Sequence, residues 1–337
     1  MLYKAPSGVE EIKGAAPAAA TVVLDGFPLY PPGDSRWEAF AAFGPLAVYE
    51  RTLSPEETVE RCREARVVFT NKVELSAATL RRLPNVKYIG ILATGTNIVD
   101  LKAAAAQGIT ATNIPSYSTA SVAQTAISLL LAITNRVEYY SEAVREGRWT
   151  TCRDFTFRDF PLTELAGRNF AVVGFGHTGQ ATARIAAAFG MKVKVFTSKP
   201  QESLPEGYEK LPLDELFRRA DVLSFHCPLT DSTRGMLDAR RLGMMKPTAI
   251  VLNTSRGPVV DEQALADALN DERIAAAGLD VLSSEPPLPD NPLLKARNCI
   301  ITPHIAWASE EARERLMEIA LANLRAWEAG RPQNVVG

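Results

Sequence analysis

Arg256, Glu285 and His304 are the residues of this sequence whose types best suit acid–base work on a small organic acid. His304, in TPHIAW, is the one histidine that stands in a loop beside a conceivable carboxylate partner, Glu285 in SSEPP. A carboxylate orients an imidazole and favours its charged form, so such a pair suits proton transfer to or from a reacting oxygen. Arg256, in NTSRG, carries a planar fork that can grip a carboxylate or polarise a carbonyl. Each has a plainer reading: His304 as a polar residue finishing a strand, Arg256 as half of a structural ion pair.

The motif GFGHTG, with Gly174, Gly176, His177, Thr178 and Gly179, points to a dinucleotide. Alone it is weak. Here it follows the apolar run FAVVG and opens the helix-like TGQATARIAAAFG, which leads into VKVFT. That context lets Gly174 make the tight turn, Gly176 admit a pyrophosphate and Gly179 pack helix on strand. The helix N-terminus then offers N–H groups and a positive dipole end to phosphates. A site for NAD usually places Asp or Glu after the next strand, to accept from the ribose 2′-OH. This chain has Thr197, Ser198 and Lys199 there. The missing carboxylate would not repel a 2′-phosphate, and Lys199 supplies a point charge, so NADP(H) is favoured over NAD(H). The alternative is that Thr197 tolerates the ribose and both bind.

These residues need a frame, and the chain alternates short apolar runs with helical stretches. The first series holds runs at Thr21 to Phe27, Ala65 to Asn71, Val86 to Leu92 and Ile109 to Pro115. A long helical run follows from about Ser121 to Arg145, then an aromatic, aperiodic arm from Arg148 to Phe160. The second series is FAVVG, VKVFT, DVLSFHC, AIVLNTS, AAGLDV and NCIITPH, again with helices between. Strands apolar on both faces and separated by helices imply parallel sheets covered on both sides. The final helix, about Glu310 to Ala329, shows an apolar stripe of Leu316, Ile319, Ala320, Leu324 and Trp327. The candidate residues fall just after strands, where open α/β sheets bind ligands.

Several classes are excluded by bulk properties. A formal net charge of -2 offers no electrostatic case for nucleic acid or anionic membrane. No run approaches the roughly 20 apolar residues of a membrane helix. Glu10, Glu11 and Lys13 interrupt any secretory-signal pattern, and residues 1–20 read as a flexible leader. Cys62, Cys152, Cys227 and Cys299 are scattered, without metal-ligand spacing, and read as reduced thiols of a cytoplasmic protein. With three histidines, no metal site is expected.

In order along the chain, ATGTNIVDL, NIPSYSTASVAQ, GFGHTG, HCPLT, NTSRG, GLDV, EPP and TPHIAW resemble the D-isomer-specific 2-hydroxyacid dehydrogenase family. The resemblance covers nearly all of the chain after the leader. TPHIAWAS and ATGTN are similar in particular to the glycerate dehydrogenase and hydroxypyruvate–glyoxylate reductase branch. It implies an α/β fold of two doubly wound parallel-sheet domains, a Rossmann-type cofactor domain and a flavodoxin-like substrate domain. The cofactor domain would span residues 118–301, and the substrate domain residues 21–117 and 302–337, with a cleft between them. It implies that Arg256 binds substrate while Glu285 and His304 form the acid–base pair, in the reduction of hydroxypyruvate or glyoxylate. It also implies that Asp280 meets the nicotinamide end, and that His226, Cys227, Pro228, Thr254 and Ser255 line the cofactor. Thr94 and Gly95, in a turn that can present N–H groups, would take the substrate carboxylate. Lys72 would add charge nearby, or is an exposed lysine.

Trp307 would wall the pocket and Trp149 would reach across a homodimer. The dimer is expected because the helix from Ser121 is more apolar than one core-facing stripe needs. Two other readings stay open: a dinucleotide sensor without catalysis, and a sister dehydrogenase acting on another acid.

Overall fold

The computed structural model describes residues 20–337, so the expected leader lies outside the described residues apart from Ala20. The described chain forms two compact units: the chain up to Tyr117 together with Arg313–Gly337, and Ser118–Ala312.

In the first unit, β1 (Thr21–Val23), β2 (Leu46–Val48), β3 (Val67–Thr70), β4 (Tyr88–Ile91) and β5 (Thr110–Thr112) pair in the order β2-β1-β3-β4-β5. Every pairing is parallel, the arrangement that strand–helix–strand crossovers produce. β1, β3 and β4 are buried throughout, as their unbroken apolar runs require. β1 is shorter than its apolar run because Asp25 turns its carboxylate to loop N–H groups after β3. The last helix, Glu310–Glu328, buries Leu316, Ala320 and Leu324. Trp327, on the margin of that stripe, packs on Tyr88 with ring centroids 5.0 Å apart. The chain end then lies along β5, with Val336 N–H on Ala111 O at 2.9 Å.

The second unit holds β6 (Asn169–Val173), β7 (Lys192–Phe196), β8 (Glu209–Lys210), β9 (Val222–Phe225), β10 (Ile250–Asn253), β11 (Ala276–Leu279) and β12 (Cys299–Ile301). Their order is β12-β11-β10-β9-β6-β7-β8, all parallel. The order reverses between β6 and β9, and ligands of open α/β sheets bind outside the strand ends at such a point. Two clusters of buried apolar side chains pack in this unit, one including Val251, Leu265 and Phe217, the other Val172, Leu130 and Leu252.

Three expectations need correction. The run from Ser121 to Arg145 is not one helix but two, Thr119–Asn135 and Val137–Arg145. Arg136 breaks it with a left-handed backbone (φ 48°), and its side chain donates to Asn298 Oδ1 at 3.1 Å and stacks on Phe160 at 4.4 Å. The apolar surplus of the first of these helices is consumed inside its own unit, where Ile127, Leu129 and Leu130 are buried. It therefore gives no argument for a dimer. Residues 302–312, which include the first three residues of the terminal helix, fall in the second unit and not the first. Asp280 holds them there, accepting from Ile305 N–H at 3.0 Å and Ala306 N–H at 2.9 Å.

Candidate active site

β10, β11 and β12 end side by side, and their following loops carry Arg256, Glu285 and His304. His304 Nδ1 and Glu285 Oε2 are 2.5 Å apart. The other oxygen of Glu285 accepts from Leu282 N–H at 3.1 Å, which fixes the carboxylate's rotation. The pair leaves Nε2 as the ring nitrogen not engaged by Glu285. His304 adopts a left-handed backbone, φ 53°, a conformation that side-chain-bearing residues hold only when the surroundings impose it. Its N–H donates to Asp280 O at 2.9 Å.

Asp280 is almost fully buried, and Thr302 Oγ1 donates to its Oδ1 at 2.5 Å while Ile305 and Ala306 occupy both oxygens with N–H groups. Burial pushes its carboxyl above the usual range, opposed by those hydrogen bonds and by nearby His304. These contacts shape the loop that presents His304, a part the sequence reading did not foresee.

Arg256 meets the Glu285 loop through its neighbour. A Cβ on Gly257 would stand 2.0 Å from the carbonyl carbon of Leu282. Only glycine allows the two loops to touch there. Arg256 Nη1 donates to Ser255 O at 2.7 Å, and Asn253 Nδ2 holds the Arg256 carbonyl at 3.0 Å. Glu262, at the start of the Glu262–Asn270 helix, accepts from Ser283 N–H at 2.6 Å and Asn291 Nδ2 at 2.8 Å, tying down the Glu285 loop. Gly257 and Glu262 went unnoticed in the sequence because their contacts join segments far apart along the chain.

The glycine loop leaves β6 as its motif requires. Gly174 has φ 90°, and a Cβ there would press on the His226 carbonyl at 2.7 Å; one on Gly179 would strike Gly174 O at 2.1 Å. Gly176 faces open space and caps the His177–Ala188 helix with no side chain, which suits phosphate approaching the first-turn N–H groups of His177, Thr178 and Gly179. After β7, Lys199 N–H donates to Thr197 Oγ1 at 3.2 Å, and Lys210 Nζ donates to Lys199 O at 2.7 Å. Ser198 lies between them, and no carboxylate stands in this segment.

After β9, His226 is partly buried, its Nε2 2.8 Å from Ser224 Oγ and its enclosed Nδ1 without a protein partner. Burial pushes its pKa down to about 4, so it is neutral at neutral pH. The Cys227 thiol is pushed up to about 11 by burial and is no nucleophile. Pro228 O accepts from Thr233 Oγ1 at 2.7 Å. After β10, Ser255 bonds Asn253 Oδ1 at 2.8 Å, while Thr254 Oγ1 is buried without a partner. Two orphaned buried polar atoms and an open glycine loop along one sheet edge fit a dinucleotide. Among the described residues no group of three or more His, Cys, Asp or Glu could hold a metal ion.

Thr94, Gly95 and Lys72 belong to the first unit, at the carboxyl ends of β4 and β3. Thr94 Oγ1 donates to Ile114 O at 2.8 Å, and Lys72 extends an exposed side chain.

The model of the family described as D-isomer specific 2-hydroxyacid dehydrogenase, NAD binding domain, matches residues 127–306. The chain belongs to that family. It is similar to the hydroxypyruvate reductase of Blautia hydrogenotrophica, 47% identical over 318 residues covering 94% of this chain and 98% of that protein. The glycerate dehydrogenase of Methylorubrum extorquens is 42% identical over 290 residues, covering 86% and 90%. A glyoxylate reductase structure from Paecilomyes thermophila matches with a TM-score of 0.81 at 26% identity, covering 95% and 98%. The chain is thus an oxidoreductase of the D-2-hydroxyacid dehydrogenase class whose cofactor is a nicotinamide dinucleotide.

Proposed function

We propose that this protein reduces hydroxypyruvate or glyoxylate to the D-2-hydroxy acid, with NADPH favoured over NADH and His304 as proton donor. The observation that carries the assignment is the 2.5 Å contact between His304 Nδ1 and a Glu285 carboxylate already fixed by Leu282 N–H. A carboxylate held in that position stabilises imidazolium and keeps Nε2 as the proton-donating atom.

A reduced nicotinamide, when bound, would supply hydride to the keto carbon. His304 Nε2 gives the keto oxygen its proton, and Glu285 holds the charged ring until then. Arg256 grips the substrate carboxylate or polarises the carbonyl. From the first unit, the turn at Thr94–Gly95 and the Lys72 ammonium bind the carboxylate. Gly174, Gly176, His177, Thr178 and Gly179 hold the pyrophosphate, while His226, Cys227, Pro228, Thr254, Ser255 and Asp280 line the rest of the cofactor. Thr197, Ser198 and Lys199 receive the 2′-phosphate, which the absence of a carboxylate after β7 supports.

The protein acts as a homodimer. Support comes from the arm, where Phe155 is 89% and Trp149 53% exposed, although the arm is internally built: Trp149 Nε1 donates to Phe155 O at 2.9 Å, and Tyr139 OH to Asp159 at 2.6 Å. An ordered segment that presents aromatics to solvent is what a second copy would cover. All four cysteines are free, which suits the reducing cytoplasm. Among the described residues no helix is long and apolar enough to cross a membrane.

Steady-state kinetics with a panel of 2-keto acids against NADPH and NADH test the assignment. The highest efficiency is expected for hydroxypyruvate or glyoxylate with NADPH. Equal or better efficiency with NADH overturns the cofactor preference; failure to turn over any 2-keto acid overturns the whole.

A further inference from the structure

A buried carboxylate outside the reacting groups ties together the loops at the carboxyl edge of the first unit's sheet. Asp25 follows β1 and is 4% exposed. Its Oδ1 accepts from Asn71 N–H at 2.8 Å, and its Oδ2 from Lys72 N–H at 2.5 Å and Val73 N–H at 3.3 Å. Three successive N–H groups on one carboxylate fix the backbone of the loop after β3, because each is a charge-assisted bond. The tie continues sideways. Asn71 Nδ2 donates to Leu92 O at 2.6 Å, at the end of β4 where Ala93–Thr94–Gly95 begins. Thr94 O in turn accepts from Asn113 Nδ2 at 2.8 Å beyond β5. These polar bonds, joined between Leu92 and Thr94 by the backbone alone, span the carboxyl ends of β1, β3, β4 and β5.

Packing alone does not call for this. A buried carboxylate carries a desolvation penalty that an apolar residue after β1 would avoid. Asn71 Oδ1 adds a second, being buried with no partner. Two buried polar groups so placed serve the geometry of what they hold, which is the backbone of Lys72 and of Thr94–Gly95.

We infer that Asp25 is a positioning residue for substrate recognition: acting through the loop after β3 and through Asn71, it sets the groups that bind the 2-keto acid's carboxylate. It governs affinity for substrate and not the hydride step. The inference rests on the reading that Lys72 and Thr94–Gly95 bind that carboxylate.

Burial pushes Asp25 up to about 6, opposed by the three N–H groups and by Lys72, the charged side chain facing it. The carboxylate is ionised above that pH, and its hold on the loop weakens as it protonates below.

The test is steady-state kinetics of the full chain with hydroxypyruvate at saturating reduced cofactor, on Asp25→Asn, Asn71→Ala and Lys72→Met, with cofactor affinity measured separately by fluorescence titration. Asp25→Asn is expected to raise KM about tenfold, the equivalent of one charge-assisted bond, with kcat within about twofold and cofactor affinity unchanged. Wild-type KM rises as pH falls through about 6, the value to which Asp25 is raised, and Asp25→Asn lacks that limb. If Asp25→Asn does not fold, Asn71→Ala, which keeps the Asp25 bonds and cuts only the link to Leu92, is expected to raise KM in the same way. Raised KM in Lys72→Met with unchanged KM in Asp25→Asn and Asn71→Ala overturns the positioning role alone. Unchanged KM in all three overturns both the role and the reading beneath it, and a fall in kcat without a change in KM contradicts the split.

Discussion

Glu285 divides its two oxygens between the His304 ring and the Leu282 amide, so neither the ring nor the carboxylate can turn without losing a bond. Glu285→Gln keeps the shape but removes the charge that favours imidazolium. Its reductive kcat is expected to fall about tenfold or more at neutral pH, within the general acid–base range. Steady-state kinetics check this; an unchanged kcat counts against the pairing. Gly257 offers a second test. A methyl group there meets the Leu282 carbonyl carbon at 2.0 Å and must part the loops that carry Arg256 and Glu285. Gly257→Ala is expected to lower kcat/KM about 100-fold, the effect of misplacing reacting groups by an ångström. A value near wild type would mean that the two loops need not touch. The strand-end placement of His304 and Glu285 and the frame of the glycine loop were legible in the sequence because those signals are local, while the acid–base roles were what the family resemblance implied. Asp280 as the organiser of the His304 loop was not, since its partners Thr302, Ile305 and Ala306 lie more than twenty residues on.

At the scale of elements, two doubly wound parallel sheets were implied by alternation and resemblance, while strand ends were not. β8 is two residues long and carries no apolar run to announce it. The break at Arg136 has neither glycine nor proline; the long-range Asn298 and Phe160 contacts hold it. The junction of β9 with the glycine loop makes a thermodynamic prediction. His226 titrates near 6.5 when unfolded and is depressed to about 4 in the fold by burial. The unfolded chain therefore binds more protons between these values, and this residue's contribution to stability is lost as pH falls through that window. Asp25, raised to about 6, acts with the opposite sign over much of the same range, because there the folded chain binds the extra proton. Wild-type stability alone mixes the two. The difference in Tm between wild type and His226→Gln isolates the histidine: the variant should lose less on acidification, and a constant difference would contradict a partly buried, neutral His226.

For the whole molecule, the prediction concerns the second copy. Phe155→Asp together with Trp149→Ser places polar groups where the arm presents its aromatics, and sedimentation should find a monomer where wild type is a dimer. A wild-type monomer at micromolar concentration would remove the proposal, and a dimeric double variant would move the interface elsewhere. The arm's chemistry was visible in the sequence, but not its construction, because Arg148, Asp159 and Tyr139 are brought together only by the fold. Proton transfer by His304 during reduction of a 2-keto acid is tested most directly by kcat/KM for hydroxypyruvate with NADPH in wild type and His304→Ala, with cofactor binding measured alongside. The expected result is a loss of about 10²- to 10⁴-fold with cofactor affinity intact; a variant that keeps most of its turnover would contradict the account.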